Sequence, residues 1–396
     1  MNKGVAVTGM GIVSALGNGV EENFNALIKS LDGLSFPEIL NTKHTHLPVG
    51  EIKVPNSDFE KKLQLEGDHS YTRATFLGII AAKEAIKSSG LTQKELLATG
   101  FISGSSVGGM DATEKYYLEY ESSTAHHQFI AAQHPGFTTK KISGFLDIKG
   151  FTTTISTACS SGANAIMLGA RLIKAGELDR VIVGGTDCLT KFTLNGFNSL
   201  KILSEEKCKA FDDSRNGLNL GEGAAYLVLE AEHLIKDKKV LGRVLGYGNA
   251  NDAYHQTASS ATGEGAYRAM KDAFEIAGTA AEKIDYINAH GTATRNNDLS
   301  ESNALKQIFG SEVPDFSSTK AFTGHILAAA GALEAVFSIL SLQNNVIFPN
   351  LNFATPMQES GLLPITKVKH KPINYVLSNS FGFGGNCTSL IFSKNE

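Results

Sequence analysis

The stretch TTTISTACSSGANAIMLGARLIKAGELDRVIV, residues 152–183, carries the clearest signature of the fold. It opens with a β-branched run at 152–156, continues through an apolar-periodic stretch at about 162–174, and reaches a second β-branched run, Arg180–Val183. Gly176 stands just after the periodic stretch, where a glycine commonly ends a helix. The order strand, helix, strand predicts a βαβ unit.

Short β-branched runs recur along the rest of the chain, each ending in small or polar residues before an amphipathic stretch. They are Val5–Thr8, Gly100–Ser103, Ile284–Ala289 and Val376–Ser378. Strands that alternate with helices are typical of α/β proteins with a largely parallel sheet. Ligands bind at the carboxyl ends of strands in such sheets, so the residues after each run are the first candidates for a functional site.

A charged segment, Lys236-Asp237-Lys238-Lys239, separates two parts of the chain that both contain strand and helix units. We therefore predict an N-terminal half, residues 1–239, and a C-terminal half, residues 240–396. Similar units in both halves suggest a duplicated fold, although no numerical repeat is evident.

Two segments need separate interpretations. Gly9-Met10-Gly11 resembles the opening of a dinucleotide-binding motif, but the third glycine is missing, so a tight strand-to-helix turn is predicted instead. The segment from about Asn41 to Asp68 has no periodicity and is predicted to be irregular.

Composition excludes several classes of function. The 396 residues include 36 Lys and Arg against 40 Asp and Glu, a formal net charge of −4, which argues against nucleic acid or a membrane surface as a partner. Charged residues make up 19%, below the roughly 25% of an average domain, which indicates a large core or a subunit interface. No long apolar run predicts a membrane span, and the four cysteines have neither disulfide nor metal-ligand spacing. We expect a cytoplasmic protein without a metal site.

Cys159 lies between a predicted strand and a predicted helix, in Thr157-Ala158-Cys159-Ser160-Ser161-Gly162. The positive end of a helix favours the thiolate over the thiol, and small neighbours allow a substrate to approach the sulfur. A lone cysteine is more often a small buried apolar residue. On the local sequence alone, a nucleophile and a structural cysteine remain equally open.

Two histidines also follow strand ends or open a helix. His290 comes directly after the run at 284–289, and His325 precedes the apolar stretch Ile326–Leu342. Either one alone is more often a helix cap or a satisfied core residue. Together with Cys159 they place three functional side chains at converging strand ends, where neutral imidazoles can donate hydrogen bonds to a developing oxyanion.

Two further motifs accompany these histidines. Lys320 lies five positions before His325, and Glu334 lies in an apolar helix whose neighbours predict a buried, paired carboxylate. The run Ser380-Phe381-Gly382-Phe383-Gly384-Gly385 predicts either a glycine-rich turn or a loop that brings backbone N–H groups and an aromatic gate close to a ligand.

Taken in order, these motifs resemble those of the β-ketoacyl-acyl-carrier-protein synthases, type II ketosynthases of the thiolase superfamily with a Cys-His-His active site. The resemblance runs from about Gly4 to Phe392 and includes HGTAT at 290–294 and GFGG at 382–385. It implies a five-layer αβαβα sandwich of two related halves. It also implies decarboxylative Claisen condensation of a malonyl-carrier with an acyl group, without a metal or an organic cofactor.

The resemblance assigns a role to each matching residue. Cys159 accepts the acyl group, His290 and His325 act on the malonyl group, Lys320 orders this network, and Glu334 supports it. Asp298 and Glu301 match the acidic positions after HGTAT. Phe383 matches the oxyanion and gate residue, which acts with the N–H of Cys159, and Val107 and Phe381 match the acyl pocket.

Three departures from the usual family motifs concern the substrate. GFGGTN reads GFGGNC at 382–387, Ala328 replaces the inner glycine of GHxxGAAG, and Arg295-Asn296-Asn297 precede Asp298 where HGTxTPxxD has proline. The TACSS form at 157–161, the NNDLSE run at 296–301 and the short chain resemble specialised ketosynthases of aryl polyene or flexirubin-like pigment pathways. A housekeeping role in fatty-acid elongation is the alternative.

Two other functions share the fold. A coenzyme A-dependent thiolase would need a second catalytic cysteine near the C-terminus, for which Cys387 is the candidate, but the two-histidine pattern weighs against it. A silent partner subunit that only shapes another synthase's pocket would not need Cys159.

The resemblance also implies partners. These are an acyl carrier protein, loaded with acyl or malonyl groups, and a second subunit, giving a homodimer or a heterodimer with a chain-length-factor-like chain. Carrier proteins are acidic, so basic residues near the pocket mouth should dock them, and the candidates are Lys61, Lys62, Arg73, Lys201 and Arg268.

Overall fold

A computed structural model describes residues 4–66 and 69–395 of the chain. The strands within these residues are β1 (Val5–Ser14), β2 (Gly17–Asn18), β3 (Gly100–Gly104), β4 (Thr152–Ile155), β5 (Arg180–Asp187), β6 (Gly223–Glu230), β7 (Gly242–Asn251), β8 (Tyr286–Asn288), β9 (Asp315–Ser317), β10 (Val346–Ile347), β11 (Lys369–His370), β12 (Tyr375–Phe381) and β13 (Asn386–Ser393). The helices are α1 (Val20–Ile28), α2 (Asn56–Leu63), α3 (Arg73–Ser89), α4 (Gln93–Leu97), α5 (Met110–Tyr116), α6 (His127–Ala131), α7 (Pro135–Phe145), α8 (Ser161–Lys174), α9 (Lys191–Ser199), α10 (Glu264–Ala277), α11 (Arg295–Phe309), α12 (Lys320–Thr323) and α13 (Ala330–Asn344).

One large mixed sheet runs through the molecule in the order β4-β3-β5-β6-β1-β7-β13-β12-β8-β9, with β2 paired to the end of β1. The first five strands and the last five have the same pairing pattern, reflected about the antiparallel contact between β1 and β7. The two halves of the fold are therefore related in the order and direction of their paired strands. The boundary at residues 239 and 240 falls in the connection between β6 and β7 and stays a prediction.

The prediction of a largely parallel sheet is wrong for the centre of the sheet. Strand β3 pairs in parallel with β4 and β5, and β8 pairs in parallel with β9 and β12, but the strands between them are antiparallel. The loop 382–385 shows one physical reason, because a connection this short between β12 and β13 permits only an antiparallel hairpin.

The helices form three layers around these two half-sheets. Helices α3 and α7 cover the outer face of the first half, α10 and α11 cover the outer face of the second, and α8 and α13 pack between the halves. A separate apolar core lies along each helical layer. The predicted five-layer αβαβα sandwich is confirmed.

Closely spaced glycines explain how the outer helices approach the sheet. A Cβ at Gly9 or Gly11 would lie within 2.3 Å of a carbonyl oxygen of α3, and one at Gly246 or Gly248 within 2.2 Å of a carbonyl oxygen of α10. Only glycine permits this contact. The predicted turn at Gly9-Met10-Gly11 is therefore wrong, because both glycines lie inside β1 and serve helix packing.

The apolar stretch after His325 forms a single turn at Leu327–Ala329 followed by α13. The 18 residues Leu327–Asn344 have a mean hydropathy of 1.3, enough by length and composition to cross a membrane, but 89% of them are buried inside the protein. Helix α13 is therefore a central core helix. The segment 41–68 is less irregular than predicted, since it contains α2, and its residues 67 and 68 lie outside the described part of the chain.

Candidate active site

Cys159 lies in the turn between β4 and α8, with 5% of its surface exposed. Ala158 before it has a φ of 51°, in the left-handed region that residues other than glycine rarely adopt. The hydroxyl of Ser161 holds this turn, because it accepts the Thr157 N–H at 2.9 Å and donates to the Ala158 carbonyl at 2.6 Å. Backbone strain of this kind clusters at functional sites.

The glycine-rich loop at 382–385 packs directly against this turn. A Cβ at Gly382 would lie 2.8 Å from the Thr157 carbonyl oxygen and 3.1 Å from the Cys159 nitrogen, so the approach requires glycine. The next residue, Phe383, donates its backbone N–H to the Cys159 thiol. The N–H groups of Cys159 and Phe383 therefore lie beside the sulfur, where the oxyanion of a thioester adduct would form.

His290 follows β8, and a buried carboxylate fixes its backbone. Glu301 on α11 accepts the N–H of His290 at 2.9 Å and that of Gly291 at 2.8 Å, and it also accepts the side-chain amide of Asn379 at 3.1 Å. Burial raises the pKa of Glu301 to about 7, although these donors oppose the shift.

Asp298, one turn earlier on α11, holds the rest of this loop. Its carboxylate accepts the N–H of Phe211 at 2.7 Å and the N–H of Ala293 at 3.2 Å. Phe211 and Ala293 both have positive φ angles, of 62° and 63°. Asp298 therefore stabilises a strained backbone and does not line the cavity.

His325 lies against His290, with the two rings edge to face at a centroid distance of 5.4 Å. The His325 N–H donates to the Asn219 carbonyl at 2.7 Å, and its own carbonyl accepts the Gly221 N–H at 3.0 Å. Burial, followed by the charge of Lys320, holds the pKa of both histidines well below the usual range. Both imidazoles are therefore neutral near pH 7, as the sequence predicts, and burial is the main cause.

Lys320 connects these groups from the first turn of α12. Its buried ammonium pairs with Glu334 of α13, donates to the His290 carbonyl at 2.6 Å and lies 3.2 Å from His290 Nδ1. Burial raises the pKa of Glu334 to about 7, and the Lys320 charge opposes this shift. The predicted buried and paired carboxylate is therefore present in the structure.

The prediction that the α8 terminus favours the Cys159 thiolate is wrong for the resting site. Burial raises the pKa of Cys159 to about 11, although the Phe383 N–H and the Lys320 charge both lower it. Desolvation disfavours the charged thiolate more than these groups stabilise it. The sulfur is a thiol at pH 7, so any reaction in which it acts as a nucleophile must remove its proton.

A cavity of about 370 Å³ connects Cys159 with both histidines. Phe381 and Phe383 line it, and the Phe383 ring stacks on Phe197 of α9 at a centroid distance of 5.5 Å. Val107 does not line this cavity; it packs in an apolar cluster with Phe197 and Leu218, both of which do.

The mouth of the cavity is basic. Lys201 and Arg295 line it, both are exposed, and no aspartate or glutamate is among the lining residues in the described part of the chain. Lys201 has a φ of 56°. The prediction that Arg73 docks a carrier protein is wrong, because its guanidinium is buried in a bidentate pair with Glu222, with N–O distances of 2.7 and 2.8 Å.

Sequence reasoning missed Asp187, the last residue of β5. Its buried carboxylate accepts the Ser105 hydroxyl at 2.8 Å, the Ser106 N–H at 3.1 Å and the Ala328 N–H at 3.0 Å. It thus joins the loop that carries Val107 to the segment that follows His325, and burial raises its pKa to about 6. The sequence signal that could have identified Asp187 is an acidic residue at the end of a strand.

Cys387, the candidate second cysteine of a thiolase, does not line the cavity. It packs in the outer apolar core with Leu377 and Ile391, and burial raises its pKa to about 12.

Comparisons with known proteins agree with this geometry. Residues 2–234 match the family described as "Beta-ketoacyl synthase, N-terminal domain", and residues 241–354 match "Beta-ketoacyl synthase, C-terminal domain". The chain is 34% identical to 3-oxoacyl-[acyl-carrier-protein] synthase 2 of Staphylococcus aureus (strain COL), with 100% of this chain and 99% of that protein covered.

Two solved structures are also similar over almost their whole length. The ishigamide ketosynthase/chain length factor is 27% identical, with a TM-score of 0.91 and 100% of both chains covered. The ketosynthase ApeO in complex with its chain length factor ApeC, from Xenorhabdus doucetiae, is 31% identical, with a TM-score of 0.83 and 99% and 98% covered.

Proposed function

The chain belongs to the beta-ketoacyl synthase family, and from that premise we propose that it condenses a malonyl group on an acyl carrier protein with an acyl group held on Cys159. The observation that carries this proposal is the single cavity that Cys159, His290 and His325 line. A nucleophile and two neutral hydrogen-bond donors facing one space are what the two half-reactions need.

In the first half-reaction, the Cys159 sulfur attacks the thioester carbon of an acyl-carrier. Because the thiol pKa is about 11, its proton must leave the sulfur as the S–C bond forms. The N–H groups of Cys159 and Phe383 stabilise the oxyanion, the carrier–sulfur bond breaks, and the carrier thiolate takes up the proton.

In the second half-reaction, malonyl-carrier loses CO₂, and the electron pair of the broken C–C bond forms an enolate at the thioester. His290 and His325 donate hydrogen bonds to its oxygen, which neutral imidazoles can do. The carbanion attacks the acyl carbonyl, the S–C bond to Cys159 breaks, the Cys159 thiolate takes up a proton from water, and β-ketoacyl-carrier leaves.

The other site residues position these groups. Lys320, paired with Glu334, orders His290, while Asp298 and Glu301 fix the backbone of the HGTAT segment. We assign the acyl pocket to Phe381 at the cavity and to Val107 in the apolar cluster behind Phe197.

The structure offers surfaces for the proposed partners. Lys201 and Arg295 at the mouth suit an acidic carrier, whereas Lys61 and Arg268 already pair with Asp58 and Glu264. For a second subunit, β4 forms one edge of the sheet, and the segment 117–120 exposes apolar residues: Tyr117, Leu118 and Tyr120. We propose a homodimer, or a heterodimer with a chain-length-factor-like subunit, and a cytoplasmic location, since all four cysteines are free thiols.

For the pathway, we propose aryl polyene or similar pigment synthesis, with fatty-acid elongation as the alternative. The similarity to two ketosynthases that have chain length factors supports the first, and the similarity to the Staphylococcus aureus enzyme supports the second. Cys387, buried away from the cavity, argues against a thiolase.

The test incubates the protein with malonyl-carrier and a panel of saturated, conjugated polyenoyl and aryl-enoyl carriers, and reads the carrier mass. Elongation that disappears in Cys159→Ala supports a condensing enzyme, and the preferred primer assigns the pathway. No acylation of Cys159 by any carrier contradicts the proposal. A complex that forms product equally well with Cys159→Ala identifies a silent partner subunit.

A further inference from the structure

Asn386, the first residue of β13, stands where the usual family motif has threonine, and its side chain is the centre of a polar network. Its Oδ1 accepts the side-chain amides of Asn164 at 2.8 Å and Asn249 at 2.9 Å, and it lies 2.7 Å from the hydroxyl of Ser160. Two amide donors and a neighbouring hydroxyl around one oxygen fix the orientation of the carboxamide.

This network reaches both sides of the oxyanion site. Ser160 and Asn164 belong to the turn and the first helical turn that follow Cys159. On the other side, the Asn386 carbonyl accepts the Gly382 N–H at 2.8 Å and closes the loop that contains Phe383. Asn386 is therefore bonded through its side chain to one oxyanion donor segment and through its backbone to the other.

We propose that Asn386 is a positioning residue that sets the separation between the N–H groups of Cys159 and Phe383. This inference rests on the proposed function, because only acyl transfer through a tetrahedral adduct needs both donors at once. Such donors act at about 2.7–3.1 Å from the oxyanion, so a small displacement of the loop removes most of their effect. A threonine, with one hydroxyl on a shorter side chain, cannot take the place of both the Oδ1 acceptor and the Nδ2 group, which lies 3.3 Å from Asn249 Oδ1.

The experiment compares two reactions of Cys159 in wild type and Asn386→Ala. The first is acyl transfer from acyl-carrier, followed by intact-protein mass, and it passes through an oxyanion. The second is alkylation by iodoacetamide, a direct displacement at carbon that forms no oxyanion. We expect acyl transfer to slow by about 10- to 100-fold and alkylation to slow much less, only as far as loss of the Phe383 N–H raises the pKa of the thiol.

The matched control is Asn344→Ala, which removes an asparagine that bonds the Leu340 carbonyl at 2.9 Å at the end of α13 and does not line the cavity. Both of its rates should match those of wild type. Ser160→Ala and Asn249→Ala each remove one contact of Asn386 Oδ1, so smaller, selective losses of acyl transfer are expected. These variants serve if Asn386→Ala does not fold.

The outcomes separate the two claims. Equal slowing of acyl transfer and alkylation, or no slowing of either, overturns the role of Asn386 and leaves the proposed function standing. A wild-type protein that iodoacetamide alkylates at Cys159 but that no acyl-carrier acylates overturns the proposed function.

Discussion

The Lys320 ammonium determines which nitrogen of His290 carries the ring proton. Nζ lies 3.2 Å from His290 Nδ1 and 2.6 Å from the His290 carbonyl oxygen. An ammonium group only donates hydrogen bonds, so Nδ1 accepts and the proton lies on Nε2. The pair with Glu334 holds Lys320 in place, and His290 thus remains a neutral donor through Nε2.

Removing this lysine should impair the malonyl half-reaction. We expect Lys320→Met to slow malonyl-carrier decarboxylation by about 10²- to 10³-fold, because His290 loses its fixed tautomer. It should also destabilise the protein by about 3–5 kcal/mol, because Glu334 is left buried without its partner. The measurements are CO₂ release and urea unfolding.

The double variant Lys320→Met/Glu334→Gln separates these effects. It removes the unpaired charge, so stability should recover while decarboxylation stays slow. Recovery of both together would show that Lys320 only supports folding.

The Cys159 thiol should react as a weakly acidic thiol. Burial raises its pKa to about 11, so the iodoacetamide rate should increase about tenfold per pH unit up to at least pH 10. The Lys320 charge lowers this pKa, so Lys320→Met should alkylate more slowly at every pH in that range. A plateau below pH 9 in the wild type would contradict the dominance of burial.

Much of this site is predictable because it follows from local sequence. The β-branched run and the small residues around Cys159 place a cysteine between β4 and α8, and His290 follows a run that forms β8. Lys320 and Glu334 are predictable as a pair because an apolar helix can only bury a compensated carboxylate.

The missed features all depend on contacts between distant segments. Asp187 bonds residues 82 and 141 positions away, and Asn386 bonds side chains up to 226 positions away, which no local periodicity encodes. The Cys159 pKa was predicted in the wrong direction for the same reason, since burial by the 382–385 loop outweighs the helix end next to it. The mixed sheet likewise depends on which strands are neighbours.

Glu301 should make stability fall as the pH rises. Burial raises its pKa from 4.5 to about 7, so between those values the folded protein holds a proton that the unfolded chain has lost. Its contribution is therefore most favourable below about pH 4.5 and decreases, by up to about 3 kcal/mol, as the pH rises to about 7 and above.

Glu301→Gln removes this titration. Urea unfolding at pH 5 and pH 8 should show a smaller difference for Glu301→Gln than for wild type, whatever its overall stability. The exposed Glu312→Gln serves as the control and should keep the wild-type difference. An unchanged difference in Glu301→Gln would mean that Glu301 ionises alike in the folded and unfolded states.

Arg295 should recognise the phosphate of the carrier's phosphopantetheine arm. Arg295 and Lys201 line a cavity mouth with no lining carboxylate in residues 4–66 and 69–395, so an anion there meets only attraction. We expect Arg295→Gln to raise the KM for acyl-carrier and acyl-coenzyme A by about tenfold, since about 1.4 kcal/mol is a modest loss for one charged contact. The KM for an acyl-N-acetylcysteamine thioester, which has no phosphate, should change little.

Arg268→Gln, which removes an exposed arginine paired with Glu264 outside the cavity, is the control. Equal increases for all three substrates would assign Arg295 to the shape of the mouth, and increased salt should reduce the wild-type preference for the phosphate-bearing substrates.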